Sequence, residues 1–147
     1  MTVLSLTEIL PPDQNATVAL TLVLAAEERA RSRIRLTAED GTEVQLVLPR
    51  GTVLHDGDLL RAAGGTLARV RAKAEPVLTA RVSDALTLLR AAYHLGNRHV
   101  PAEIGENYMR ILPDPVLAGM LEQLGLHVAH EIMPFDPEPG AYGGRHD

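Results

Sequence analysis

Histidine is the residue type with the widest chemical range in this chain, which contains six histidines and no cysteine. A metal site here would therefore use nitrogen and oxygen ligands, and imidazole suits Ni²⁺, Cu²⁺ and Zn²⁺. His99 follows a predicted helix stop and precedes Pro101, which restricts the backbone. We expect its ring to be held near the surface, although a lone histidine is more often a solvated residue than a ligand.

The other histidines are weaker candidates. His55 lies in a predicted turn, where solvation is the simpler interpretation. His127 and His130 are three apart in a predicted strand, so they point to opposite faces and do not share an ion. His94 lies near a predicted helix end, where the helix dipole favours an imidazolium. His146, in a tail rich in proline and glycine, is either an accessory ligand or part of a disordered terminus.

Nothing in the sequence predicts catalysis. Ser5, Ser32 and Ser83 lack the context of a nucleophile elbow, and no H-E-x-x-H motif is present. Gly64 and Gly65 precede a predicted strand rather than a helix, so a phosphate-binding loop is not indicated. We expect a protein that is not an enzyme.

Composition and patterning argue against a nucleic-acid-binding, secreted or membrane-spanning protein. The net charge is -5, and aromatic residues make up only 3% of the chain, which argues against a nucleic-acid-binding protein. The N-terminal segment has no basic region before its short apolar run, so it does not predict a signal peptide. No apolar stretch is long enough to span a bilayer. The absence of cysteine fits a cytoplasmic protein.

The first half of the chain predicts β structure. Residues 17–24 and 31–38 have strand composition, and an alternating run follows Asp40-Gly41. Asp-Gly between such runs predicts a hairpin in which both turn positions have positive φ. Residues 25–33 are interpreted as a turn and the start of a strand, although their helix propensity leaves a short helix open.

The second half alternates between strand and helix patterns. A strand over residues 66–82 precedes a helix over 83–97, capped by Ser83 or Asp84 and stopped at Gly96-Asn97. Strands over 99–104 and 107–112, a helix over 114–125 and a strand over 126–135 follow. This β-α-β-β-α-β order predicts a ferredoxin-like domain. The predicted fold is α+β, with an all-β domain over 1–73 and the ferredoxin-like domain with a short tail over 74–147.

Three segments together resemble the UreE family of urease accessory proteins. They are GNRHVP at 96–101, PFDPEPGAYGG at 134–144 and DGTEVQLVLPRGTVLHDGDLL at 40–60. The resemblance runs in order along essentially the whole chain. It implies an N-terminal β domain for partner or peptide interaction and a C-terminal domain for metal binding and dimerisation, which agrees with the two halves predicted above.

The resemblance also implies a function and a site. His99 would bind Ni²⁺ at the interface of a homodimer, facing its own symmetry copy, and His146 would be an auxiliary ligand. Zn²⁺ and Cu²⁺ would compete in vitro. The protein would be a cytoplasmic metallochaperone that delivers nickel for urease assembly, with the UreG GTPase and the urease apoprotein as partners. The alternative is an interaction module of the urease maturation complex that works without metal.

Two departures from the family pattern limit the number of metal ions that we expect the chain to bind. Some relatives carry extra histidines before the second helix, but RILPDP at 110–115 contains none. Other relatives have long histidine-rich tails, whereas this chain offers only His146 there. We therefore do not expect storage of many ions.

Overall fold

The computed structural model describes residues 2–139. Two compact units form: the first ends at Lys73, and the second spans Ala74–Glu138. The predicted α+β fold class is confirmed, because the first unit is built mainly of strands and the second mixes strands and helices. Within the described residues, no helix is both long enough and apolar enough to cross a membrane.

The first unit is a six-stranded mixed sheet in the order β2-β6-β5-β1-β4-β3. Its centre is a cluster of buried aliphatic side chains such as Leu6, Leu22 and Leu46. The elements are β1 Leu4–Leu10, β2 Leu20–Leu24, α1 Ala26–Arg29, β3 Arg33–Thr37, β4 Glu43–Val47, β5 Leu59–Ala62 and β6 Leu67–Ala72.

Strand β1 is an element that the sequence patterns did not predict. It lies inside the sheet, parallel to β4 on one side and antiparallel to β5 on the other. Its run alternates weakly, and only Leu6 is fully buried. Pairing on both sides, which has no local sequence signal, therefore decides that this segment is a strand.

Residues 25–33 form a helical turn as well as the strand start predicted from the sequence. Residues 26–29 make one helical turn, and the Glu28 side chain accepts a hydrogen bond from the Ala25 N–H at 2.9 Å. Arg29 is 1% exposed and donates from Nε to the Leu24 carbonyl at 3.2 Å. Burial of this arginine fixes the turn, and no sequence pattern indicated that burial.

The β3–β4 hairpin forms where Asp40-Gly41 predicted it, but its turn has another geometry. Only Gly41 has positive φ, at 92°, and its N–H bonds to the Ala38 carbonyl at 2.9 Å. This is a turn closed by one left-handed glycine, a common three-residue hairpin loop. The prediction that both turn positions have positive φ was wrong.

The second unit has a four-stranded antiparallel sheet in the order β10-β7-β9-β8. The order β-α-β-β-α-β with this topology is the ferredoxin-like arrangement. Leu78 and Ala80 on β7 pack with helix residues such as Ala91 and Leu121, so both helices contribute to one core. The elements are β7 Ala74–Arg81, α2 Ala85–Asn97, β8 Glu103–Ile104, β9 Tyr108–Ile111, α3 Pro115–Gln123 and β10 His127–Pro134.

The segment around His99 differs from the prediction in two ways. Helix α2 ends at Asn97 as predicted, but the left-handed residue that closes it is His99 and not Gly96 or Asn97. The strand predicted over 99–104 is reduced to Glu103–Ile104. His99 thus lies in neither a helix nor a strand but in the connection from α2 to β8.

Candidate metal-binding site

Helix α2 leads the chain to His99, and Asp84 caps its beginning. The Asp84 carboxylate accepts a hydrogen bond from the Thr87 N–H at 3.1 Å. Bonds from the Thr87 hydroxyl and N–H hold the pKa of Asp84 below its ordinary value. The sequence prediction offered Ser83 or Asp84 as the cap, and the structure selects Asp84.

The end of α2 places His99 in an unusual backbone conformation. The Val100 N–H bonds to the Leu95 carbonyl and the His99 N–H to the Gly96 carbonyl, each at 3.0 Å. This pair of bonds defines a Schellman motif, whose left-handed position is usually occupied by glycine. His99 occupies it here with φ 56° and is the one residue other than glycine with positive φ in residues 2–139. Its backbone direction is therefore fixed by the helix end.

The side chain of His99 is exposed, at the edge of a shallow cavity of about 270 Å³. Within residues 2–139, no hydrogen bond or ion pair engages the imidazole. Leu112 and Asp114 also line this cavity. The Asp114 Oδ1 atom accepts from the Val116 and Leu117 N–H groups at 2.9 and 3.1 Å, so it serves as the cap of α3.

Residues 2–139 of one chain do not bring the histidines together. No group of three or more histidine, aspartate or glutamate residues suited to a metal ion occurs in residues 2–139. His94 lies on α2 with its ring edge-on to Tyr93 at 5.5 Å. His127 and His130 pair with Arg81 and Leu78 of β7, at positions of opposite facing as predicted. His146 lies outside the described residues.

Glu103 is the polar centre of the segment that follows His99. Its carboxylate accepts from the Arg110 guanidinium at 2.8 Å, the Tyr108 hydroxyl at 2.9 Å and the Asp136 N–H at 2.9 Å. The bond to Glu103 raises the pKa of the Tyr108 phenol. The Arg110 guanidinium also bonds to Thr79, which is fully buried.

Sequence reasoning missed both the left-handed backbone of His99 and the contacts of Glu103. A weak signal existed for the first, because apolar Val100 and then Pro101 follow the helix end as they do in Schellman motifs. The motif was not recognised because histidine stands where glycine is usual. For Glu103 no local signal exists, since its partners come from β9 and from the segment after β10.

Comparison with known protein families matches nearly the whole chain. Residues 6–73 match the N-terminal domain of the UreE urease accessory protein, and residues 75–147 match the C-terminal domain of the same protein. The chain belongs to the UreE urease accessory protein family. The UreE resemblance seen in the three sequence segments is thereby confirmed.

Individual relatives match most of the chain. A UreE urease accessory protein of Nostoc punctiforme is 59% identical over 144 residues, covering 97% of this chain and 97% of the relative. The corresponding protein of a Nostoc species is 56% identical over 144 residues, with coverage of 97% and 98%. One from Burkholderia lata is 54% identical over 128 residues, which is 87% of this chain and 62% of the relative.

The family gives this UreE chain a role in urease maturation as an accessory protein. Its relatives are described as urease accessory proteins.

Proposed function

We propose that this UreE chain is a homodimeric nickel metallochaperone that delivers Ni²⁺ for assembly of the urease metallocentre. The observation that carries the proposal is the state of His99. Its imidazole is exposed, makes no hydrogen bond or ion pair with the described residues and is attached to a backbone held by two 3.0 Å hydrogen bonds. The backbone position is thus fixed, and no described group occupies the ring nitrogens.

One imidazole is too few ligands for a bound ion, and a two-fold axis through the site would double it. Around such an axis each residue faces its own copy. Two apolar side chains support an interface here: Leu112 lines the cavity beside His99 and is 45% exposed, and Val116 in the first turn of α3 is 80% exposed. Covering them would remove apolar surface from water, which favours association.

An incomplete, shared site suits a carrier. Two imidazoles leave positions on Ni²⁺ open, so the ion can pass to another set of ligands without full removal of its first one. Nickel is then cargo, and no reaction is catalysed. Zn²⁺ and Cu²⁺ would compete in vitro because imidazole binds them as well. His146 would add a ligand from the tail.

The two units would divide the work in the cytoplasm. Residues 74–147 would bind metal and dimerise, and residues 1–73 would contact partners. The receivers of nickel would be the UreG GTPase and the urease apoprotein complex, as expected from the family.

The proposal is tested by titrating the full chain with Ni²⁺ in a calorimeter while its oligomeric state is followed by light scattering. The wild type should bind about one ion per dimer. His99→Ala should lose this binding and keep the dimer and the fold. His94→Ala is the matched control, because His94 is also an exposed histidine of the same helix region and should bind as the wild type. Full nickel binding by His99→Ala would overturn the proposal.

A second candidate function, a metal-independent interaction module, is favoured by the edge strand β3. Hydrogen bonds from Leu48 to Ser32 and from Ala38 to Thr42 join β3 to β4. By antiparallel alternation, the backbone groups of Arg33 and Arg35 point away from β4, towards the open edge. Within residues 2–139 no ion pair engages either exposed guanidinium. An extended acidic segment would fit this edge.

The two candidates are separated by a charge reversal on the edge strand. If the interaction module is the function, the Arg33→Glu, Arg35→Glu double variant should abolish urease activation while nickel binding stays at the wild-type level. His99→Ala should then activate urease normally. Arg50→Glu, an exposed arginine of the same unit outside the strands, is the control for a general charge effect. The opposite pattern would support the metallochaperone.

A further inference from the structure

The sheet of the first unit curls into a barrel that is open at one end. Strand β1 runs parallel to β4 and antiparallel to β5, so the starts of β1 and β4 and the end of β5 meet at this end. The Glu39 N–H bonds to the Thr21 carbonyl at 3.3 Å, which brings the end of β3 close to β2, the opposite edge strand. We name this end the barrel mouth, and such mouths are common locations of binding sites.

An open cavity of about 560 Å³ occupies the barrel mouth. Its volume lies within the range of roughly 300–1,000 Å³ that is usual for ligand sites. Leu20 and Ala62, which are 7% and 6% exposed, contribute its buried wall, and Leu4 and Ala19 also line it. Within residues 2–139, no charged side chain lines this cavity. An apolar group would therefore fit it better than a charged one.

A smaller cavity of about 260 Å³ continues the barrel mouth and is acidic. It shares Ala19 and Leu20 with the larger cavity and is also lined by Glu39 and Asp40. Thr42, which lines the larger cavity, donates its N–H to the Asp40 carboxylate at 2.9 Å. Bonds from the Thr42 hydroxyl and N–H hold the pKa of Asp40 below its ordinary value, so this carboxylate is charged at neutral pH.

The two carboxylates have no cationic partner in the part of the chain that the structure describes. Both Glu39 and Asp40 are exposed, and no ion pair with residues 2–139 engages either of them. An occupant that carries a positive charge next to an apolar group would therefore complement both cavities. An extended peptide offers this pair, because its side chains i and i+2 point the same way and lie about 7 Å apart.

We propose that the barrel mouth binds an extended segment of a partner protein, with a leucine-sized side chain in the larger cavity and a lysine or arginine two residues along beside Glu39 and Asp40. The apolar contact would supply most of the affinity by removing surface from water. The exposed charge pair would contribute less to affinity and more to the choice of sequence. This surface belongs to the first unit and does not depend on nickel binding at His99.

A short synthetic peptide tests the proposal on the full chain. The probe is Gly-Ser-Leu-Ser-Lys-Ser-Gly, acetylated and amidated so that its ends carry no charge. It is titrated to about 5 mM into the ¹⁵N-labelled protein while the amide signals are followed by NMR, because a contact of this size is expected to be of millimolar affinity. One control peptide has alanine in place of leucine, and another has glutamate in place of lysine.

The leucine peptide should shift the amide signals of residues 3–5, 19–20, 39–42 and 62–66. The alanine peptide should bind at least about tenfold more weakly, because it loses the buried apolar side chain. The glutamate peptide should bind about two- to fivefold more weakly, and screening at about 1 M salt should remove this difference. Equal binding of the leucine and alanine peptides, or shifts concentrated elsewhere, would overturn the proposal.

Two tryptophan variants test the apolar part of the site. Ala19→Trp fills the wall that the two cavities share and should abolish binding of the leucine peptide. Ala30→Trp is the matched control, because Ala30 is also an exposed alanine of the first unit but lines neither cavity. Wild-type affinity in Ala19→Trp, or the same loss in Ala30→Trp, would contradict the proposed site.

A charge reversal tests the acidic part and leaves the apolar wall unchanged, so it remains informative if Ala19→Trp fails to fold. Glu39→Lys should weaken binding of the lysine-containing peptide and strengthen binding of the glutamate peptide. Glu27→Lys, at an exposed glutamate outside both cavities, should change neither. The same response in both variants would sink the proposed charge recognition. His99→Ala should bind the probe as the wild type does, so the failure of the nickel site and the failure of the barrel mouth are separate results.

Discussion

Helices α2 and α3 end with the same two backbone hydrogen bonds but with different residues at the left-handed position. At the end of α3 the Leu126 N–H bonds to the Leu121 carbonyl and the Gly125 N–H to the Glu122 carbonyl, each at 3.0 Å. Gly125 has φ 103° and His99, in the matching position after α2, has φ 56°. One helix end uses the residue that the geometry favours, and the other does not.

Gly125 adopts the left-handed backbone without strain, whereas the same backbone conformation is less favourable for His99. An L-residue in the left-handed region is disfavoured by about 1 kcal/mol or more relative to glycine. Histidine is among the residues found there more often, yet it gains nothing that glycine lacks for closing the helix. The α2 end therefore retains backbone strain at the residue that we propose as the nickel ligand, and strained backbone is common at functional sites.

The largest expected effect comes from exchanging the two residues. In the His99→Gly, Gly125→His double variant, nickel affinity should fall at least about 100-fold, more than the loss of an outer-shell partner of a ligand usually causes. The imidazole at position 125 has the same helix-end geometry but a different place in the unit. Calorimetric titration checks this, with Gly125→His alone as the control that keeps His99. Nickel binding by the double variant would show that a helix-end histidine suffices anywhere.

Acid should remove nickel from the α2 end before it unfolds the protein. Imidazole must be neutral to coordinate, and its ordinary pKa is about 6.5. Nickel competes with protons, so at saturating metal the half-loss should lie below that value. Stoichiometry is measured by equilibrium dialysis from pH 7.5 downwards, with circular dichroism as the check on folding. Full stoichiometry at a pH of about 4 would point to carboxylate ligands.

Stability should respond to the two helix ends with opposite signs. Gly125→Ala places a side chain at φ 103°, where its Cβ meets no atom within 4 Å, so the cost is backbone strain of about 1–2 kcal/mol. His99→Gly relieves strain and should stabilise the fold by about 0.5–1 kcal/mol. Urea unfolding followed by circular dichroism measures both. A destabilised His99→Gly variant would mean that the His99 side chain contributes packing.

The smallest expected effect is at the other end of α2, where Asp84 caps the helix. Its pKa is lowered below 3.8 in the folded chain, first by the bond from the Thr87 hydroxyl. A depressed pKa means stabilisation that is complete above pH 3.8 and is lost as pH falls through the lower folded-state value. Asp84→Asn keeps a capping oxygen but cannot titrate.

The free energy of unfolding of the wild type and of Asp84→Asn is measured as a function of pH. The wild type should be slightly more stable than Asp84→Asn at pH 7, and the difference should shrink once the pH falls below 3.8. Equal stability of the two chains at pH 7 would show that the charge of the cap contributes nothing.

The two predicted helices were the easiest elements to find, for a physical reason. Asp114, Pro115 and Gly125 mark the start and end of α3 by local chemistry, and the structure places all three in those roles. Strand β1 has no such markers, because its partners β4 and β5 lie about forty and fifty residues away. Elements were predicted correctly where the interactions that form them are between residues close together in the sequence.

The sequence by itself determined the family, the α+β fold class and the choice of His99 as the histidine of interest. These follow from patterns of neighbouring residues, from helix caps and from three segments that resemble UreE. The tertiary structure alone decided that Glu103 joins β8 to the segment after β10, because its partners are distant along the chain and leave no local pattern. It also decided that His99 takes the left-handed position usually occupied by glycine, which the following Val100 and Pro101 indicated only weakly.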